Sequence, residues 1–193
     1  GVKQIFSNLF SFAALKNDGS VVTWGDPNYG GNSSSVSSQL LSGVTKIFST
    51  YGAFAALKDD GSIVTWGNAD YGGDSSSSKL YPSGSDLNSK VTHIYSTERA
   101  YAALKQDGSV VTWGYNDDDG NYGIITDLVE DFLRTEVIDI YSNKSVFVAL
   151  KSNGSVVSWG KENEGGLLPN SINSDLNLNV KKIVSTDKAF AAS

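Results

Sequence analysis

Four copies of one fourteen-residue phrase constrain this chain more than anything else in it: FAALKNDGSVVTWG from Phe12 to Gly25, FAALKDDGSIVTWG from Phe54 to Gly67, YAALKQDGSVVTWG from Tyr101 to Gly114 and FVALKSNGSVVSWG from Phe147 to Gly160. The tryptophans that close the copies, Trp24, Trp66, Trp113 and Trp159, stand 42, 47 and 46 residues apart. A second marker, Val-x-x-Ile, precedes each copy at Ile5, Ile47, Ile94 and Ile140 and recurs at Ile183. A fixed period of this length means a row of supersecondary units, each unable to bury its apolar surface alone and each covered by its neighbours. The 193 residues are therefore read as one repeat domain, with units at about 1–42, 43–89, 90–135 and 136–179 and a partial fifth at 180–193. In that fifth unit Ser193 stands where Leu15, Leu57, Leu104 and Leu150 stand in the others.

Each piece of the unit has a physical reading. Asp-Gly or Asn-Gly at 18–19, 60–61, 107–108 and 153–154 lies between two apolar runs, the strongest short-range hairpin signal. The runs are too short for helices and rich in β-branched and aromatic residues. Val21, Val22 and Trp24 put apolar groups on both faces of one strand, so the strand is sandwiched between neighbouring sheets. Small sheets covered on both sides describe an all-β propeller of antiparallel blades. The alanine pairs, such as Ala13-Ala14, are expected near the crowded axis, and the four tryptophans buried further out between blades. Four units and part of a fifth leave an open arc, a fragment, or a ring completed by another copy. A longer parent chain or a homo-oligomer is the expected means of closure.

The core A-L-K-x-D-G-S-V-V-T-W-G, followed by Tyr29-Gly30-Gly31 and Tyr71-Gly72-Gly73, resembles the regulator of chromosome condensation repeat. That family forms β-propellers, so the resemblance implies the same fold. The family's G-x-x-H before the Ala-Leu pair is absent here, where the chain reads Asn8 to Ser11 and Thr50 to Ala53, and its Y-G-Q-L-G is shortened to Tyr-Gly-Gly. These departures look like the bacterial branch, similar in fold to a propeller protein that inhibits β-lactamase. No functional residue of the family carries over, because the matching positions are framework.

Composition narrows the chemistry. The formal net charge is -6, against a nucleic-acid partner, and cysteine is absent, which removes disulfides and thiolate ligands. No apolar run approaches the roughly 20 residues that span a bilayer. Absence of cysteine with much Ser, Asn and Gly suits an exported bacterial protein, so a secreted or cell-surface location is expected. His93, the sole histidine, occupies a strand position that elsewhere holds Gln4, Lys46, Asp139 and Lys182, and reads as a solvated residue. The loop Asn116 to Gly123 has the look of a calcium loop, but Tyr115 and Thr126 fall where its first and last ligands belong. No cofactor and no metal are expected, and no converging acid–base pair marks an enzyme. Asp127 to Glu136 has helical spacing and is expected as a short helix on a blade's outer edge. Lys16, Lys58, Lys105 and Lys151 precede the Asp-Gly turns and are expected as solvated strand ends with local acidic partners.

Residues that repeat answer a packing demand common to every unit, whereas residues that differ are released from it. In a meander, the gap before the Ala-Leu strand and the loop after Trp-Gly share one face, opposite the Asp-Gly turns. That variable face carries Leu9, Phe10, Tyr29, Tyr51, Tyr71, Glu98, Arg99, Tyr122, Lys144, Asp187 and Lys188. Exposed aromatics and arginines on loops of a rigid scaffold are typical interface anchors. The expectation is a non-catalytic protein–protein interaction scaffold. The alternative is a carbohydrate- or cell-surface-binding module of an exported protein, which would require near-equivalent polar pockets in each unit.

Overall fold

A computed structural model describes residues 1–76, 80–82, 85–115, 123–125, 129–166 and 179–193. It is a β-propeller arc of five sheets. Blade 1 is β1 (Val2–Ser7), β2 (Ser11–Lys16) and β3 (Val21–Gly25); blade 2 is β4 (Val44–Ser49), β5 (Ala53–Lys58) and β6 (Ile63–Gly67). Blade 3 is β7 (Val91–Ser96), β8 (Ala100–Lys105) and β9 (Val110–Gly114); blade 4 is β10 (Val137–Ser142), β11 (Val146–Lys151) and β12 (Val156–Gly160). Blade 5 has two described strands, β13 (Ile183–Ser185) and β14 (Phe190–Ala192). All pairings are antiparallel meanders, with Phe12 opposite Trp24 and Phe54 opposite Trp66. The hairpins turn where the sequence places them: Gly19, Gly61, Gly108 and Gly154 have φ of 76°, 77°, 78° and 81°, the left-handed region that favours glycine. Asp18, Asp60, Asp107 and Asn153 each accept from the backbone N–H and the hydroxyl of the serine two residues on, which closes the turn.

The first strands of successive blades touch in series, so they lie nearest the axis, and the tryptophan strands lie outermost. This corrects the expected position of the alanine pairs. They occupy the middle strand, where Ala55 joins the core shared with blade 3 and Ala56 the core shared with blade 1. One small residue faces each way because each neighbour lays an aromatic ring close by.

Every junction uses the same surfaces. The face that a blade turns to its predecessor (its N-side face) presents, in blade 2, Ile47, Phe54, Ala56, Val64 and Trp66, packed on Ala13 and Leu15 of blade 1. Blade 3 repeats this with Ile94, Tyr101, Ala103, Val111 and Trp113 on Ala55 and Leu57. The return segments add Leu40, Leu87 and Leu133 to these cores. Polar contacts repeat as well. Trp66, Trp113 and Trp159 donate their indole N–H to the carbonyls of Gly30, Gly72 and Gly123 in the preceding blade, at 3.1, 3.1 and 2.8 Å. The backbone N–H of Val44, Val91, Val137 and Val180 donates to the carbonyls of Gly19, Gly61, Gly108 and Gly154 of the preceding turn.

Trp66, Trp113 and Trp159 are buried, as expected, but Trp24 is 43% exposed. The reason is that its face has no predecessor among the described residues. Three of the four lysines also differ from expectation, whereas Lys16 meets it, half-exposed with its ammonium 3.7 Å from Asp18. Lys58, Lys105 and Lys151 donate to the return-segment carbonyls of Gln39, Asp86 and Phe132, and Lys105 and Lys151 are largely covered. They tie each return to its blade, and Lys105 and Lys151 also meet Asp86 and Glu136. Among the described residues 129–136 the helical element is a single 3-10 turn, Glu130–Leu133, with Leu133 buried and Phe132 exposed, in place of the expected helix. Asp127 and Leu128 lie outside the described residues, as does the acidic loop from Asn116 to Tyr122. His93 is exposed.

Candidate functional site

The variable face is organised by one short polar residue per blade. Asn8 Oδ1 accepts from the backbone N–H of Phe10 and Ser11, both at 2.8 Å, and Asn143 Oδ1 from Ser145 and Val146 at 2.9 and 2.8 Å. Thr97 and Thr186 do the same with Ala100 and Ala189, at 3.0 and 3.1 Å. These side chains close the turn between the first and second strands, so the position stays Asn or Thr. Thr50 instead donates to the carbonyl of Tyr71 at 2.7 Å, tying the two variable loops of blade 2 together.

The residue after each cap points to the axis. Leu9, Tyr51, Glu98, Lys144 and Asp187 therefore line one cavity of about 620 Å³, to which all five blades contribute. Their backbones form a ladder from blade to blade: Leu9 N–H to the Tyr51 carbonyl at 3.4 Å, Tyr51 to Glu98 at 2.9 Å, and Glu98 to Lys144 at 2.8 Å. The Tyr51 hydroxyl donates to the Glu98 carboxylate, and that bond to an anion, helped by partial burial, raises the phenol's pKa. Lys144 Nζ lies 2.8 Å from Asp187 Oδ2, and that hydrogen-bonded carboxylate holds the ammonium above its usual pKa.

The next residue out is Phe10, Gly52, Arg99, Ser145 or Lys188. Here the first three blades build a continuous stripe. The Phe10 and Tyr29 rings are 4.3 Å apart, and Tyr29 meets Tyr71 edge-on at 6.2 Å. The Arg99 guanidinium lies 5.2 Å from the Tyr71 ring centre and 5.1 Å from that of Tyr115, within cation–π range of both. Gly52 makes the stripe continuous, because a Cβ there would come within 2.8 Å of Tyr29 Cδ1 and 3.0 Å of Tyr71 Cδ2. Phe10 is exposed, and Tyr29, Tyr71 and Arg99 are half-buried.

Ten of the eleven residues singled out from the sequence thus stand on one face. Leu9, Tyr51, Glu98, Lys144 and Asp187 meet at the axis, while Phe10, Tyr29, Tyr71 and Arg99 meet in the stripe. Lys188 stands exposed on blade 5, and Tyr122 lies outside the described residues. On the cationic side of the face, Lys144 is balanced by Asp187. Sequence reasoning missed Tyr115. Its signal is positional: it follows Trp-Gly directly, where the other units have Asp26, Asn68 and Lys161. Among the described residues, no group of three or more His, Asp or Glu side chains could hold a metal ion.

No family model matches the sequence, and no curated protein matches it. Solved structures do. The chain superposes on Prp20p of Saccharomyces cerevisiae with a TM-score of 0.55 at 21% identity, over 83% of this chain and 45% of that one; that structure is described with its binding to Gsp1p and histones. Yeast RCC1 (Prp20) bound to Kap60 gives 0.56 at 14% identity, over 94% and 51%. The ectodomain of the Arabidopsis thaliana receptor kinase ACR4 gives 0.53 at 18% identity, over 86% and 51%. The fold is therefore the RCC1-like β-propeller, and the chain spans about half the length of the structures it matches.

Proposed function

We propose that this chain is a non-catalytic protein-interaction scaffold that binds its partner through the variable loop face. The observation that carries the reading is the stripe from Phe10 through Tyr29 and Tyr71 to Arg99 and Tyr115. Aromatic rings and a stacked arginine, accessible on a rigid frame, are the side chains that dominate binding energy at protein interfaces. The axial residues all differ from one another, which suits one composite partner surface better than a repeating sugar. Partner binding by Prp20p, to Gsp1p, histones and Kap60, lends the reading support at the level of the fold.

The test compares binding by the wild type and by Tyr29→Ala with Tyr71→Ala, with matched circular dichroism as the check on folding. Loss of an anchor of about 2 kcal/mol should weaken partner binding about 30-fold. Asp18→Asn with Asp60→Asn on the opposite, turn-bearing face should leave it unchanged. Equal recovery of the partner by wild type and tyrosine variant, or loss only with the turn-face variant, would put the binding surface elsewhere. Glycan binding abolished by the same tyrosine variant would favour the carbohydrate reading instead.

A further inference from the structure

The axial cavity holds one more negative charge than positive, and its wall changes character from blade 1 to blade 5. Leu9, 63% exposed, and the ring of Tyr51, 36% exposed, make one side apolar, whereas Glu98, Lys144 and Asp187 make the other side charged. Of the two carboxylates, Asp187 is matched by Lys144, at 2.8 Å. Glu98 is not matched: its partner is the neutral hydroxyl of Tyr51, and among the described residues no cation pairs with it. Other polar groups of the wall have spent their protons. Ser49 and Ser185 donate their hydroxyls to the carbonyls of Ser7 and Ser142 in the preceding blades, at 2.9 and 3.2 Å, and the Tyr51 hydroxyl donates to Glu98. What these oxygens retain toward a ligand is acceptor capacity. An acceptor-rich wall with an excess negative charge is complementary to a cation that donates hydrogen bonds.

On the reading that the loop face seats a protein, on which this step rests, a partner lying on the stripe also covers the mouth of the cavity. Leu9 and Glu98 directly precede Phe10 and Arg99 in the same turns, so the two surfaces are contiguous. Covering the mouth takes Glu98 out of water, and a carboxylate desolvated without a counter-ion is strongly unfavourable. The partner must therefore bring the cation. The apolar side fixes its form, because a cationic head on an aliphatic stem can lay its methylenes along Leu9 and the Tyr51 ring and still reach Glu98. An acidic side chain is disfavoured, since it would meet Glu98 while the one ammonium is already held by Asp187. The volume of about 620 Å³ admits such a side chain with room to spare. We propose that the axial cavity receives a lysine or arginine side chain of the protein partner, with Glu98 as its counter-ion and Leu9 and Tyr51 as the seat of its stem.

The first test titrates Nα-acetyl-lysine methylamide into the isotopically labelled chain and follows amide shifts. Saturable shifts should gather at Tyr51, Glu98 and Lys144, and the norleucine analogue, which keeps the stem and lacks the charge, should bind about tenfold more weakly. Glu98→Gln, which keeps an acceptor for Tyr51, should weaken the lysine probe by a similar factor. Lys144→Gln removes the ammonium and leaves both carboxylates, so it should tighten the probe, a gain that no folding defect mimics. Absence of saturable shifts, equal binding of the two probes, or a Lys144→Gln variant that fails to tighten would overturn the proposal. The second test selects a displayed library of random peptides on the wild type and keeps the binders lost on Tyr29→Ala with Tyr71→Ala. These should carry Lys or Arg, and replacing that residue by norleucine should cost about tenfold on the wild type and little on Glu98→Gln. Tyrosine-dependent binders without a basic residue, or with one that does not couple to Glu98, would overturn the proposal and leave the loop-face reading intact. If no binder depends on the tyrosines, the loop-face reading fails, and a partner side chain as the occupant fails with it.

Discussion

Trp24 and Trp66 occupy the same place in two copies of one phrase, and truncating each to alanine isolates the worth of an inter-blade contact. Trp66 is 2% exposed, stacks on Phe54 with ring centres 5.3 Å apart, and donates to the Gly30 carbonyl. Its side chain brings about 200 Å² of largely apolar surface, worth roughly 5 kcal/mol at about 25 cal/mol per Å². The measured range for emptying a large aromatic core site is about 3–5 kcal/mol, and the Gly30 carbonyl would also lose its donor. Trp24 keeps the stacking partner, Phe12 at 5.4 Å, but is 43% exposed and, among the described residues, has neither the facing blade nor the acceptor. A little over half of its surface is at stake and no enclosed cavity results, so the expected loss is about 3 kcal/mol. Trp66→Ala should therefore cost about 2 kcal/mol more than Trp24→Ala, a factor of about 30 in the ratio of folded to unfolded protein. Urea unfolding of both variants, followed by circular dichroism so that the lost tryptophan does not bias the signal, measures the difference. Equal costs would refute the assignment of Trp66 to a blade-to-blade contact that Trp24 lacks.

Gly72→Ala should destabilise by several kcal/mol, because it sets a Cβ 2.7 Å from the Tyr101 ring at φ 88°. Gly165→Ala, with 3.6 Å to Phe190 at φ 97°, should cost only the backbone strain of about 1–2 kcal/mol, and paired thermal melts decide between these outcomes. Acid should loosen the hairpins selectively. Hydrogen bonds from Ser20, Ser62 and Ser109 hold the carboxyls of Asp18, Asp60 and Asp107 below the usual aspartate range. A lowered folded-state pKa gives stability that is present above the unfolded value and lost as pH falls through the folded one. Amide exchange at Ser20, Ser62 and Ser109 should therefore gain protection-loss below about pH 4, while Ser155, held by the non-titrating Asn153, should not. At the axis, Tyr51 should ionise above the ordinary phenol range in an ultraviolet titration. Glu98→Gln should bring it back down, and an unchanged titration would show that the Glu98 bond does not hold it.

Much of this fold is legible in the repeated phrase because its demands are local. Asp-Gly between apolar runs dictates the hairpins, and Val-Val-x-Trp dictates a strand covered on both faces. The radial order was not legible, since the small size of Ala13 and Ala14 suits a crowded axis and a ring-facing middle strand equally well. Nor was the pairing of Lys58 or Lys105, whose partners are carbonyls in return segments of unrelated sequence. Trp24 shows the limit of the repeat itself: identical text gives identical burial only where the neighbouring blade is also present. On the loop face, the sequence marked the variable positions but not their partners. The contact of Phe10 with Tyr29 joins two loops of one blade, and that of Tyr71 with Arg99 joins two blades. The second depends on the offset between sheets, and the missing side chain of Gly52 leaves room for Tyr29 and Tyr71 to meet.

The hydrogen bonds from Val44, Val91, Val137 and Val180 to the glycine carbonyl of the preceding turn all run in the same sense along the chain. Each junction thus joins the same donor to the same acceptor, and no blade needs to be told its place in the series. Recombination between near-identical gene segments could then add or delete a whole unit and leave every remaining junction chemically unchanged. Partial units would be the costly products, because they strand a donor or expose a face. A lineage built this way can alter its curvature and reach in steps of one blade. Meanwhile each turn at the axis, capped by its own Asn or Thr, drifts independently of the frame that holds it.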